Sequence, residues 1–440
     1  MLDVGTYDAA EAAAADRFPN RIIQAFYPEM FQTLGYPMRV KSADQLWRYI
    51  DVMHETRTNF NMEILLRGLT TEEFELYKRV VKIVDENATK QFGIRAHPTP
   101  ALLRAIHALR LIKIVTGEAR PPVLEVGPGC GYLAMLLVME GYPYIGTDIA
   151  QAFYLYQNHM LSLVATNLHE LATEEADILT VAQPKPGTAI HIPWWKWVTL
   201  SPQKIKLSAG IMTCNHALCE MHTHSMVYLA VVGRRMLSNF PGGGKFIFEN
   251  WGYDLLHSRE SVAQKFAEYG LQVCHDEYAM TAMVLAEEIA HWSGRPPPPT
   301  AALPDISVPA PAAPPPVESR PRWRAFRRRV GAALDVVPPI KRLAVVAYIR
   351  LHRVGTHILA RTGNRNEPKK AEQLPVIPPV IDSSLALFPL SKRLTEGLAG
   401  VIARATVHEP DLEAFLVSYF GGRVPRLPDE IFLEIVGTRY

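Results

Sequence analysis

At 440 residues, 48% of them hydrophobic, the chain is too apolar to be an intrinsically disordered protein and long enough for two domains. Its formal net charge of +2 excludes a uniformly basic or acidic chain. Four cysteines with no Cys-x-x-Cys pair exclude a disulfide framework and a structural zinc site of that kind, which points to a reducing, cytoplasmic setting.

In chain order, the first twenty residues carry acids and lack a basic start followed by an apolar core, so they do not read as a secretory signal. No run approaches the roughly 18 uninterrupted apolar residues that a spanning helix needs. Residues 1–115 form a helical lead-in or lid, with helix expected over most of 20–115. "TTEEFELYKRVVKIVDENATK" offers Thr70 and Glu73 as a capping box, and "TPALLRAIHALRLIKIV" offers Thr99 as N-cap with Pro100 at the first helical position. From 116 to 295 short apolar runs alternate with helical stretches: "VLEVG" (123–127), "YIGTDI" (144–149), "AIHIPWW" (189–195), "AGIMTCN" (209–215) and "GKFIFEN" (244–250). That alternation predicts an α/β domain, a Rossmann-like doubly wound, mostly parallel sheet that binds ligands beyond the carboxyl ends of its strands.

Residues 296–316 hold ten prolines and no periodic apolar pattern, the composition of an extended linker. Beyond it, 317–440 reads as a basic, mostly helical extension. Between 317 and 370 there are 14 Lys/Arg against three Asp/Glu, a local +11 that leaves −9 for the remainder. Three readings compete for this block. It lies on an anionic membrane surface through 320–361, at the inner face; it binds nucleic acid by charge alone; or its apolar stripe packs on the chain's own C-terminal segment with the arginines solvated. "LAVVAYI" is apolar around more than one face, which suits burial, and no nucleic-acid partner is expected.

The stretch "VLEVGPGCGYLA" carries the chemistry. A strand running into Gly127, Gly129 and Gly131 and then a helix leaves bare backbone for a flat ligand and aims helix N–H groups at its negative end. The dinucleotide fingerprint requires a glycine at 132, where this chain has Tyr132, so the spacing disfavours NAD. Asp148 ends the next apolar run, where an acid accepts the hydroxyls of a ribose. The bland alternative is a tight strand-to-helix turn that binds nothing. "VLEVGPGCG" followed by "YIGTDIAQAF" resembles the cofactor motifs of class I S-adenosylmethionine-dependent methyltransferases, and "HIPWWKW" with "CNHALCEMH" is similar to bacterial sugar O-methyltransferases. The resemblance covers about residues 90–255. It implies that Glu125, Gly127, Gly129 and Gly131 hold the methionine part of S-adenosyl-L-methionine and Asp148 its ribose.

Methyl transfer to an alcohol needs in-line alignment and a base. "CNHALCEMHTHS" (214–225) follows the fourth expected strand and is the densest cluster of suitable groups. Asn215 is counted with the cofactor residues. If the segment is helical, His216, Glu220 and His224 share a face while His222 points elsewhere. The trio then supplies a general base oriented by Glu220 or holds a divalent metal; otherwise these are rim residues. Trp194 is a candidate to flank the adenine and Trp195 to stack on a sugar ring, against the alternative that both, with Trp197, are core. Glu249, Asn250 and Tyr253, after the fifth expected strand, are candidates to bind substrate hydroxyls. Packing is the default for Cys130 and Cys214. The function expected is methylation of a hydroxyl on a sugar or glycosylated small molecule. The alternatives are a nicotinamide-dependent oxidoreductase and a non-catalytic module acting through its basic segment.

Overall fold

The computed structural model describes residues 2–19, 22, 39–51, 67–175, 183–215, 217–218, 221–249, 259–275, 279–284 and 388–425. Of 249, 259–260, 274–275, 279–284, 388–389 and 391 it describes the backbone alone. All of these belong to one of the two units into which the chain divides, comprising Met1–Pro297 and Pro379–Thr438. The proline-rich linker and the basic block at 317–370 lie outside the described residues, as do the membrane reading of 320–361 and its rivals. Among the described residues no helix is long and apolar enough to cross a membrane.

The sheet is Rossmann-like and doubly wound. Its strands are β1 (Val123–Val126), β2 (Tyr144–Asp148), β3 (Asn167–Glu170), β4 (Thr188–Pro193), β5 (Ile211–Thr213), β6 (Lys245–Glu249), β7 (Leu271–His275) and β8 (Ala279–Val284). They stand in the order β3-β4-β2-β1-β5-β6-β8-β7. The first six are parallel, and β8 runs antiparallel to both β6 and β7. The order reverses at β1, between β2 and β5, so the crevice for a ligand opens beyond the carboxyl ends of these three strands.

Strands covered on both faces read as continuous apolar runs, which is why the five expected strands are all present. β3 escapes that signal because "NLHE" is a polar edge strand, exposed or half-buried along its length. "AIHIP" therefore belongs to the fourth strand of the sheet, not the third, and "IMT" to the fifth; the run expected to reach residue 195 ends as strand at Pro193, where Trp194 begins a short helix. The β7–β8 hairpin, which closes the other edge, is also additional to the expectation.

Among the described residues the α-helices are α1 (Val4–Ala15), α2 (Thr71–Phe92), α3 (Thr99–Thr116), α4 (Tyr132–Met139), α5 (Gln151–Val164), the short α6 (Trp194–Trp197), α7 (Thr223–Ser238), α8 (Arg259–Glu268), α9 (Phe388–Ala403) and α10 (Glu409–Tyr419), with a 3-10 helix at Ala43–Tyr49. The Thr70–Glu73 capping box forms as expected. Beyond capping α2, the Glu73 carboxylate receives Arg110 of α3 at 2.6 Å through both Nε and Nη2, and Arg110 also donates to the Gly68 carbonyl at 2.7 Å. The start of α2 is thereby locked to the middle of α3. Thr99 does not cap α3. The cap position falls to Pro98, and the Thr99 hydroxyl instead meets Tyr77 and His97.

The chain returns at 388 to cover this helical layer. Leu390, Leu394 and Leu398 are buried, and a Cβ at Gly397 would stand 2.4 Å from Ile114 Cγ2, so only glycine admits this close approach of α9 to α3. Leu69 and Val407 form an isolated antiparallel bridge, and Phe415 packs edge-on against Phe74 and Tyr77 of α2.

Candidate active site

The three glycines of the first turn all have positive φ, at 68°, 59° and 77° for Gly127, Gly129 and Gly131, a backbone that only glycine adopts without strain. Packing explains two of them. A Cβ at Gly127 would sit 2.7 Å from Ala217 Cβ, and one at Gly131 would sit 3.0 Å from Gln157 Cγ. A Cβ at Gly129 meets no described atom within 4 Å, so its side of the turn faces the crevice. Gly131 then caps α4 in the left-handed conformation. Tyr132, where a dinucleotide fingerprint has its third glycine, is buried; its hydroxyl donates to the Ile50 carbonyl at 2.6 Å and pairs with Tyr156 at 2.9 Å.

Asp148 ends β2 with its side chain buried. Oδ1 accepts from the Ala150 N–H at 2.9 Å and Oδ2 from Gln157 Nε2 at 2.8 Å. Burial pushes its carboxyl up, and the bonds from Ala150, Gln157 and the Gly129 backbone, together with His191, pull it back. An ionised carboxylate offers about four acceptor sites. Three protein donors leave it room for one ligand hydroxyl without displacing any of them. Glu125, on β1, is also buried. It accepts the Tyr144 hydroxyl at 2.9 Å, and burial pushes its carboxyl up to about 8. Tyr144 reaches it across Gly146, where a Cβ would fall 2.5 Å from the Tyr144 hydroxyl oxygen; the glycine in mid-strand serves that approach.

Sequence reasoning missed what stands behind Asp148. Gln157 of α5 donates to Asp148 and to the Gly129 carbonyl at 2.7 Å, while its Oε1 faces His191 Nε2 at 3.1 Å. His191 Nδ1 meets Glu170 at 2.9 Å. The available signal was a lone polar residue in an apolar strand, the histidine of "AIHIP".

The buried side chains of the N-terminal helix α1 were missed too. Its buried Glu11 accepts Trp194 Nε1–H at 2.6 Å and pairs with Arg39. Tyr7 is wedged between the rings of Tyr154 and Trp195 at 5.2 and 5.0 Å. Trp194 is fully buried beside Phe18 and Trp195 is 6% exposed, which is the core alternative for both tryptophans.

The other half of the crevice lies beyond β5. Ala217 is the neighbour that Gly127 accommodates, so the loop after β5 runs directly beside the glycine turn. Asn215 lies in that loop as a half-buried turn residue. His216, Glu220, Asn250 and Tyr253 lie outside the described residues, and of Glu249 only its place at the end of β6 is described. One continuous helix through 216–224 is not what forms: 217–218 are a turn, and α7 starts at Thr223 with His222 as its N-cap. The reason is local, since His222 Nδ1 accepts the His224 N–H at 3.3 Å and so begins the helix there. The His222 and His224 rings are exposed and stacked, 4.9 Å between centroids, with their Nδ1 atoms 3.2 Å apart. Among the described residues no group of three His, Cys, Asp or Glu side chains is placed to hold a metal ion. Cys130 and Cys214 are both buried.

No family model and no curated protein matches the chain. Solved structures similar to it include a magnesium protoporphyrin IX methyltransferase from Synechocystis with bound SAM, 11% identical with a TM-score of 0.26, covering 49% of this chain and 97% of that one. The glycopeptide N-methyltransferase MtfA complexed with S-adenosyl-L-homocysteine is 13% identical with a TM-score of 0.28, over 41% of this chain and 89% of that one. A SAM-bound amino pentose methyltransferase from Micromonospora echinaspora is 13% identical with a TM-score of 0.27, over 41% and 90%. At TM-scores below 0.5 these likenesses leave the chemistry of this chain to be argued from its own residues.

Proposed function

We propose that the chain is an S-adenosylmethionine-dependent methyltransferase acting on a hydroxyl of a sugar or glycosylated small molecule. The observation that carries this reading is the pairing of a positive-φ glycine turn at the exit of β1 with a buried, hydrogen-bonded aspartate at the exit of β2. The residues fit the group. Gly129 keeps backbone open toward the crevice, Asp148 has an acceptor site for a ribose hydroxyl, and Glu125, two residues before Gly127 on β1, is the candidate for the methionine end. When bound, the cofactor supplies an electrophilic methyl group on a sulfonium. Tyr132 in place of the third fingerprint glycine supports this reading over a nicotinamide cofactor.

Proton removal falls to the loop after β5. His222 Nδ1 accepts the His224 N–H at the start of α7, and the His224 ring is exposed there. His224 is the described candidate for general base. His216, Glu220 and a metal bound through them are the competing assignment, with Glu249, Asn250 and Tyr253 as candidates for holding the acceptor's other hydroxyls.

Titration calorimetry of the full chain with S-adenosylhomocysteine and with NAD should show binding of the first alone. Incubation with methyl-labelled donor and a panel of sugars, nucleotide sugars and glycosides should then transfer label to one of them. Binding of NAD in place of the adenosyl compound would overturn the reading.

A further inference from the structure

The charge on His191 follows from the orientation of its neighbours. Gln157 Nε2 faces two acceptors, the Gly129 carbonyl and Asp148 Oδ2, at 2.7 and 2.8 Å. Its amide therefore has only one orientation, with Oε1 toward His191 Nε2 at 3.1 Å, and that nitrogen must carry a hydrogen. On the other side, Glu170 accepts the Tyr154 hydroxyl, the Ala172 N–H at 2.9 Å and Asn158 Nδ2 at 2.7 Å. The Asn158 amide is itself fixed, because its Oδ1 accepts the Leu2 N–H at 2.8 Å. Burial pushes the Glu170 carboxyl up, but His191 and the bonds from Tyr154 and the Ala172 N–H outweigh it and hold the carboxyl below its ordinary value, so the hydrogen of its 2.9 Å bond to His191 Nδ1 sits on the nitrogen.

We infer that His191 is a buried imidazolium, protonated on both nitrogens, that acts as a positioning residue for nucleoside binding by fixing Gln157 against Gly129 and Asp148. The inference about binding rests on the proposed role of Asp148; the proton count does not. His191 is fully buried, so its charge needs partners on every side. Glu170 of β3 neutralises it and Asp148 of β2 lies one side chain away. The Tyr154 ring of α5 stacks on it at 3.7 Å and 12°, in reach of a cation–π contact. From α1, burial pushes the Tyr7 phenol well up, so it stays neutral beside the Tyr154 ring. The cation also opposes the effect of burial on Asp148, as a smaller influence than the bonds from Ala150, Gln157 and the Gly129 backbone.

The full chain, labelled with 15N in the histidine rings, decides the first half at neutral pH. The His191 signals, assigned by their loss in His191→Gln, should show one-bond N–H couplings on both nitrogens. A single protonated nitrogen would overturn the inference. The second half is read by calorimetry: affinity for S-adenosylhomocysteine should fall about tenfold in folded His191→Gln, on the order of one buried charge-assisted hydrogen bond. Unchanged affinity would remove the positioning role. If His191→Gln does not fold, Glu170→Gln replaces it, with loss of one His191 N–H coupling and the same drop in affinity expected. A chain that binds no adenosyl compound would sink the proposed function, while the wild-type spectrum would still settle the proton count.

Discussion

The two halves of the crevice are built in opposite ways. Toward β2 and β4, Asp148, Gln157 and His191 are each 5% exposed or less, and their polar groups are answered by one another, by Glu170 and by the glycine turn. Beyond β5, His222 and His224 are exposed, and each leans on the other at the first turn of a helix. The half proposed to hold the nucleoside is part of the folding core, so its geometry is set before any ligand arrives. The half proposed to hold the acceptor is carried on a loop, where chemistry changes without disturbing the core. It follows that substitutions in the first half should cost stability along with binding, and substitutions in the second should cost activity with little loss of stability.

The largest effect on the folded state is expected at Glu125. Its carboxyl is raised by burial from 4.5 to about 8, so the folded state holds a proton that the unfolded chain releases between those values. A raised value stabilises fully below the unfolded pKa, and that stabilisation is lost as pH rises through the folded one. Stability should therefore decline from about pH 4.5 toward pH 8, by up to roughly 1.4 kcal/mol per pH unit. Glu125→Gln, which stays neutral, should flatten that decline in urea melts across the range. An identical slope in the variant would place the proton elsewhere.

Asp148→Ala comes next. It should weaken binding of S-adenosylhomocysteine by roughly a hundredfold, since it removes an ionised acceptor. Its place at a strand end predicts a fold left intact, but burial alters that expectation. Gln157 Nε2 and the Ala150 N–H lose their acceptor, at a cost of about 2 kcal/mol in denaturant melts. Lost binding with undiminished stability would separate this site from the core and break the comparison between the halves.

The same contrast explains what the sequence revealed. β1, β2, β4, β5 and β6 are legible because strands covered on both faces are apolar throughout. Gly127, Gly129, Gly131 and Asp148 are legible because turn and acid have a fixed spacing that backbone geometry imposes. Gln157, His191 and Glu170 come from α5, β4 and β3, and no local pattern announces that three separated polar residues meet. β3 was invisible for a related reason: an edge strand can be polar, and Glu170 sits on it. Glu11 and Tyr7, in an alanine-rich helix, gave no sign of carrying a buried acid and a wedged ring. The histidine-rich loop was legible as a cluster but not as a conformation, because His222 as N-cap moves the helix start to Thr223.

A smaller effect is expected from His222→Ala. The cap it provides is a 3.3 Å bond at an exposed site, worth about 0.5 kcal/mol. Its loss should be visible in the melting temperature but not in cofactor affinity.

His224→Ala is the sharpest use of the comparison, because its two readouts should diverge. Its ring is exposed and its bond is to another exposed ring, so stability should stay within about 0.5 kcal/mol of wild type. Affinity for S-adenosylhomocysteine should not change, since no described contact joins this ring to the glycine turn or to Asp148. Turnover should nevertheless fall roughly a hundredfold if Nε2 takes the acceptor's proton. Full turnover in His224→Ala would transfer the base to His216 or Glu220. That outcome would leave the contrast between a core-built half and the segment after β5 intact, since both of those residues fall between β5 and α7 in the chain.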